Sequence, residues 1–111
     1  MNYFITCFDD RWMESTRRFF DNEQSNGETG SSQCFGYYAD RAKAEAAVER
    51  NACDLHECLY TWAVVEGLPE GIHPGPPHND EFETWYQWVD GKWTRAIKPE
   101  CLRQMASFSI G

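Results

Sequence analysis

Between Asn51 and Asp90 the chain has no lysine and no arginine. Eight carboxylates fall in that stretch: Asp54, Glu57, Glu66, Glu70, Asp80, Glu81, Glu83 and Asp90. Of the 18 acids in the chain, ten therefore remain to balance all ten bases, so the formal charge of −8 belongs to this one block. A block without bases disfavours direct contact with phosphates. It suits a positively charged partner or a cation.

Other absences narrow the class further. No apolar run approaches the ~20 residues needed to cross a bilayer. The opening MNYFITCFDD has no basic region ahead of its apolar residues, so it does not read as a signal peptide, and the expected location is the cytoplasm. Five cysteines, an odd number, are expected as reduced thiols there. No glycine-rich phosphate loop occurs, because prolines interrupt Gly67, Gly71 and Gly75. No basic stripe interleaved with aromatics occurs either, which speaks against single-stranded nucleic acid as a ligand. Asp21 to Gln33 contains no apolar residue at all and predicts a mobile loop.

What is present reads as one α+β domain over 1–111, large enough for a single core. Apolar residues on both sides of Asn2–Phe8 predict a strand inside a sheet. Thr16–Phe20 and Cys34–Ala39 are expected strands. Asp40 caps a helix running to about Asn51, with Ala44, Ala47 and Val48 as a narrow apolar stripe and Arg41 spaced to pair with Glu45. Leu59–Gly67 reads as a central strand. Four of the five prolines lie in the loop 68–80. Glu81–Asp90 and Lys92–Lys98 predict a hairpin closed by Asp90-Gly91, since both positions of a type I′ turn need positive φ. That register sets Trp88 opposite Trp93 and Tyr86 opposite Arg95, the latter a candidate cation–π contact. Pro99 to about Met105 reads as a short turn or helix, and Phe108 and Ile110 as a last edge strand. The architecture expected is an antiparallel sheet of four to six strands with one main helix packed across it.

Three segments carry a resemblance: NACDLHECLYTWAVVEGLPEGIHP (51–74), WYQWVDGKW (85–93) with KPECL (98–102), and the closing FSIG (108–111). In their layout of helix, acidic turn, strand and hairpin they resemble an uncharacterised family of small acidic proteins from gut bacteria and their mobile elements. The loop 21–33 departs from that layout as an insertion. Small acidic proteins of this setting are similar to phage-borne counter-defence proteins, including anti-CRISPR inhibitors of type II Cas9. The resemblance implies no catalytic signature.

Two sites are expected. Cys53, His56 and Cys58 supply thiolate and imidazole, the ligand types of zinc, with Cys53 and His56 at i, i+3 on one helical face. His73 is the preferred fourth ligand, with Asp54 or His78 as alternatives. The spacing C-x₂-H-x-C matches no standard zinc module, and the competing expectation is junction packing around Leu55 and Leu59. A Cys–His nucleophile is disfavoured because Asp54 and Glu57 flank the pair. Glu81 and Glu83 share a strand face and are expected to be solvated. The second site is a partner surface formed by Asp80, Glu81, Glu83 and Asp90, with Trp85 and Trp88 as aromatic anchors. The functional expectation is a non-catalytic inhibitor that sets this surface against a basic surface of a Cas9-type nuclease, with no direct nucleic-acid binding and no membrane. The alternatives are an acidic interaction module for a basic host protein and a small metal-dependent enzyme.

Overall fold

The computed structural model describes residues 1–57, 59–71, 80–103 and 108. Five antiparallel strands form one sheet: β1 (Asn2–Phe8), β2 (Ser32–Tyr38), β3 (Trp62–Leu68), β4 (Glu83–Val89) and β5 (Lys92–Ala96), in the order β2-β1-β3-β4-β5. Two helices cover it, α1 (Asp10–Phe20) and α2 (Arg41–Glu49). The fold is α+β, as expected.

Strand β3 lies in the middle and is buried on both faces, which explains its nearly continuous apolar sequence. Ala63 and Val65 point towards α2, where Ile5, Cys7, Ala44, Ala47, Val48, Tyr86 and Trp93 complete the larger core. Val64 points the other way, into a smaller core with Phe8, Trp85 and Leu102, edged by Trp12 and Met13 of α1. Alanines at 44 and 47 let the backbone of α2 lie close to the sheet. The helix starts where the Asp40 carboxylate accepts from Ala42 N at 2.8 Å. It ends as Asn51 turns left-handed at φ 53°, a conformation that asparagine tolerates.

Residues 16–20, expected as a strand, belong instead to α1. Asp9 caps the helix by accepting from Trp12 N at 2.8 Å. Arg17 and Arg18 then occupy its last turn, where cations suit the helix dipole, and both reach back to Glu14. Hydrogen bonds from Arg17 hold the Glu14 and Glu23 carboxyls below their usual range. Trp12, Met13 and Phe20 fall seven and eight residues apart, which places them on one helical face. The expectation of one main helix thus becomes two, on opposite faces of the sheet.

The expected loop 21–33 is exposed throughout, but its last two residues, Ser32 and Gln33, are already in β2, opposite Phe8 and Cys7. An edge strand pairs through its backbone and needs no apolar side chain to do so. The loop's return is tied at Asp9, whose Oδ1 accepts from Ser31 N and whose N–H donates to Ser31 O, each at 3.1 Å. Gly30 lies so close that a Cβ there would overlap Trp12 N. The central strand starts at Trp62, later than expected, because the chain is still turning at Leu59, whose N–H donates to His56 O. Of the expected loop 68–80, Leu68 is the last residue of β3 and 72–79 lie outside the described residues; of the expected edge strand at Phe108 and Ile110, Ile110 lies outside them and Phe108 is in no strand.

The hairpin matches its expected register: Trp88 faces Trp93 and Tyr86 faces Arg95, with the guanidinium 5.9 Å from the Tyr86 ring centre. Asp90 and Gly91 have φ of 52° and 80°. Space around Gly91 is open, so a Gly91→Val substitution meets no clash. Its cost is conformational, about 1–2 kcal/mol for a branched residue held left-handed. A denaturant melt reads this directly, and an unchanged midpoint would show that the turn tolerates any residue.

Candidate functional site

At the hairpin tip, β4 and β5 meet the junction that follows α2. Asn51 organises that meeting. Its Oδ1 accepts from His56 N at 3.1 Å and from Trp93 Nε1 at 3.0 Å, while its Nδ2 donates to Asp54 Oδ1 at 3.0 Å. The His56 ring stacks on Trp88 with 3.9 Å between centroids and 9° between planes, and Trp88 meets Trp93 edge to face at 5.4 Å. Trp88 is half-buried by these contacts. Asp54, Glu57 and Asp90 are exposed around it, with Arg50 and Lys92 as the neighbouring bases.

The junction bears differently on the two expected sites. Cys53 has φ 55° and ψ 21°, which interrupts the 3₁₀ turn, so Cys53 and His56 do not share a regular helical face as expected. Cys53 is exposed. Cys58, His73 and His78 lie outside the described residues, and among the described residues no group of three or more His, Cys, Asp or Glu side chains is gathered as a metal site. One detail does suit a ligand. His56 Nδ1 is 2.8 Å from Tyr60 O, so Nδ1 carries the proton and Nε2 is the nitrogen left for coordination, the arrangement usual for metal-bound imidazole. Zinc content measured on purified protein tests this. About one equivalent, lost in His56→Ala, is the outcome for a structural zinc; metal-free protein leaves His56 as a stacking partner of Trp88.

The partner surface divides. Asp90 and Glu81 are exposed. Asp80 opens a 3₁₀ turn over Asp80–Phe82. Trp85, expected as an anchor, is only 4% exposed: it stacks over Phe8 and meets Phe108 edge to face. Glu83, expected as solvated charge, is also enclosed. The cause is register. Glu83 and Trp85 lie on the face of β4 opposite α2, so both turn into the smaller core. There Lys98 Nζ approaches Glu83 Oε1 to 3.1 Å, with side-chain exposures of 9% and 4%, and Trp85 Nε1 donates to Glu83 at 2.9 Å. Glu66, 2% exposed, lies directly opposite Glu83 and accepts from Phe108 N. Reading the sequence for surface charge missed this knot. Its signal was there: Glu66 is the one acid inside the apolar run WAVVEGL.

A second polar cluster sits on the α2 face. Arg41 donates to Glu81 O at 2.7 Å, to Glu83 O at 3.3 Å and to Thr84 Oγ1 at 3.0 Å. Thr84 Oγ1 donates in turn to Glu45 at 2.7 Å. Glu45 also pairs with Arg41, the expected four-residue ion pair, and with Arg95, each at 3.5 Å. The Tyr86 hydroxyl donates to Glu49 at 2.7 Å, and burial followed by that bond pushes its pKa up. Among the thiols, burial pushes Cys7 up to about 12, so it stays protonated and unreactive.

Compared with protein-family models, with curated proteins and with solved structures, the chain matches none of them. No helix among the described residues is long and apolar enough to cross a membrane. Any reading of function rests on the chain's own surface.

Proposed function

We propose that this chain is a non-catalytic counter-defence protein, an inhibitor that sets its acidic surface against a basic surface of a Cas9-type nuclease and so interferes with nucleic-acid loading. The observation that carries this reading is how the charge is paired. Six of the ten bases, Arg17, Arg18, Arg41, Arg95, Lys98 and Arg103, are engaged with the chain's own carboxylates. The carboxylates of Glu28, Glu57, Glu70 and Asp90, by contrast, are exposed and have no polar partner among the described residues. The surplus negative charge is thus turned outward, while six of the bases already have a carboxylate of the chain beside them. Channels that hold a guide and its target are positive because they carry a polyanion, and an acidic protein competes for them. With Trp85 and Glu83 inside the core, Trp88 is the remaining aromatic anchor, with Asp90 two residues further along the chain and Glu57 next to its stacking partner His56 as exposed acids.

Inhibition of purified Cas9-type nuclease by this protein is the direct test. Inhibition should weaken as salt rises, since exposed charges are screened beyond ~8 Å at physiological ionic strength. Glu57→Lys combined with Asp90→Lys should slow association at least about tenfold with little change in dissociation, as rim charges do. Glu28→Lys, on the far loop, is the control. An uninhibited nuclease sinks the reading. The same surface suits a basic host protein of another kind, and binding to such a protein without nuclease inhibition is what separates the two.

A further inference from the structure

We propose that the cleft where β5 leaves β4 binds a small organic anion through its carboxylate or phosphate oxygens. This site is separate from the hairpin tip, and its lining holds more bases than acids. Its volume is about 340 Å³, within the lower part of the range usual for small-molecule sites, about 300–1,000 Å³. Four of the chain's ten bases, Arg41, Arg95, Lys98 and Arg103, line it against two carboxylates, Glu45 and Glu83.

Lys98 is paired with Glu83, but the three arginines are held in ways that leave donors for a ligand. Arg41 is fixed chiefly by neutral acceptors, two carbonyls of the 81–83 segment and the Thr84 hydroxyl, which set its orientation without cancelling its charge. Its one carboxylate, Glu45, stands 3.5 Å away and is shared with Arg95. Arg95 uses only Nη2 towards Glu45 and Glu49, which leaves Nε and Nη1 as donors unused among the described residues. Arg103 uses only Nε, towards Glu100, and keeps both terminal nitrogens. Two guanidinium groups with paired donors suit planar carboxylate or tetrahedral phosphate oxygens, because such contacts are bidentate and charge-assisted. The surrounding charge of −8 repels an extended polyanion, so the fitting occupant is small.

Inorganic phosphate and succinate serve as separate probes, titrated at constant ionic strength with chloride as the balancing anion while the arginine Nε resonances are followed. Saturable shifts at Arg95 and Arg103 with either probe support the site. Saturation by phosphate alone assigns it to a phosphate ester, and by succinate alone to a dicarboxylate. Arg95→Gln with Arg103→Gln should weaken binding at least about tenfold. Both side chains are more than half exposed, so folding is retained. Lys92→Gln, a base outside the cleft, should leave affinity unchanged. Linear, non-saturating shifts with both probes, or binding undiminished in the double variant, would overturn the proposal.

Discussion

A Lys98→Met variant should lose about 3 kcal/mol or more of folding stability, the usual consequence of removing one partner of a buried ion pair. For a domain of this size that lowers the melting temperature by roughly 10 °C. The pair is enclosed on both sides, with 9% and 4% of the two side chains exposed, so water cannot take the lysine's place beside Glu83. Glu66 directly across the strands makes matters worse, since two carboxylates then lie opposite each other in the core. A further measurement tests the cause: Glu83→Gln added to Lys98→Met should recover much of the loss. A single variant within about 0.5 kcal/mol of the parent, in the range of an exposed pair, would show that solvent reaches the knot.

Trp85→Ala should be about as severe, at about 3–5 kcal/mol, because it removes a ring packed between Phe8 and Phe108 and also leaves Glu83 without its indole donor. Trp88→Ala should cost less, since its ring is partly solvated already and loses the His56 stack and the Trp93 edge. Chemical denaturation of the two variants ranks them. Binding assays on Trp85→Ala report unfolding rather than contact with a partner, whereas Trp88→Ala reports the surface. If Trp88→Ala proved the more destabilising, the assignment of the two faces of β4 would be wrong.

Much of this fold is legible in the residue pattern because the relevant signals are local. Asp40 before an alanine-rich stripe marks a helix start, and Asp90-Gly91 between aromatic strands fixes both a turn and the register of every pair behind it. Helix α1 is harder to read. Its few apolar residues crowd its ends, with none between Met13 and Phe19, and the informative signals are the cap at Asp9 and the Glu14–Arg17–Arg18 spacing. The site was harder still. Whether Glu83 points to water or into the core depends on which face of β4 meets α2, and that follows from the packing of distant elements. Charge counted along the chain therefore assigned to the partner surface a carboxylate, Glu83, that the core encloses. The basic cleft was invisible for the same reason, since Arg41, Arg95, Lys98 and Arg103 are spread over 63 residues of sequence and meet only in the fold.

The clamp at Asp9 separates the length of the 21–31 segment from the integrity of the sheet. Both the start of α1 and the return into β2 are fixed by one side chain and its own backbone. Extra residues between them lengthen a closed loop without moving either end, and each doubling of such a loop costs only about 0.6 kcal/mol. The segment is a natural port for grafting: an epitope, a cysteine for a fluorophore or a whole folded insert placed near Ser25 would ride on the domain. Both the acidic hairpin tip and the basic cleft would be left as they are.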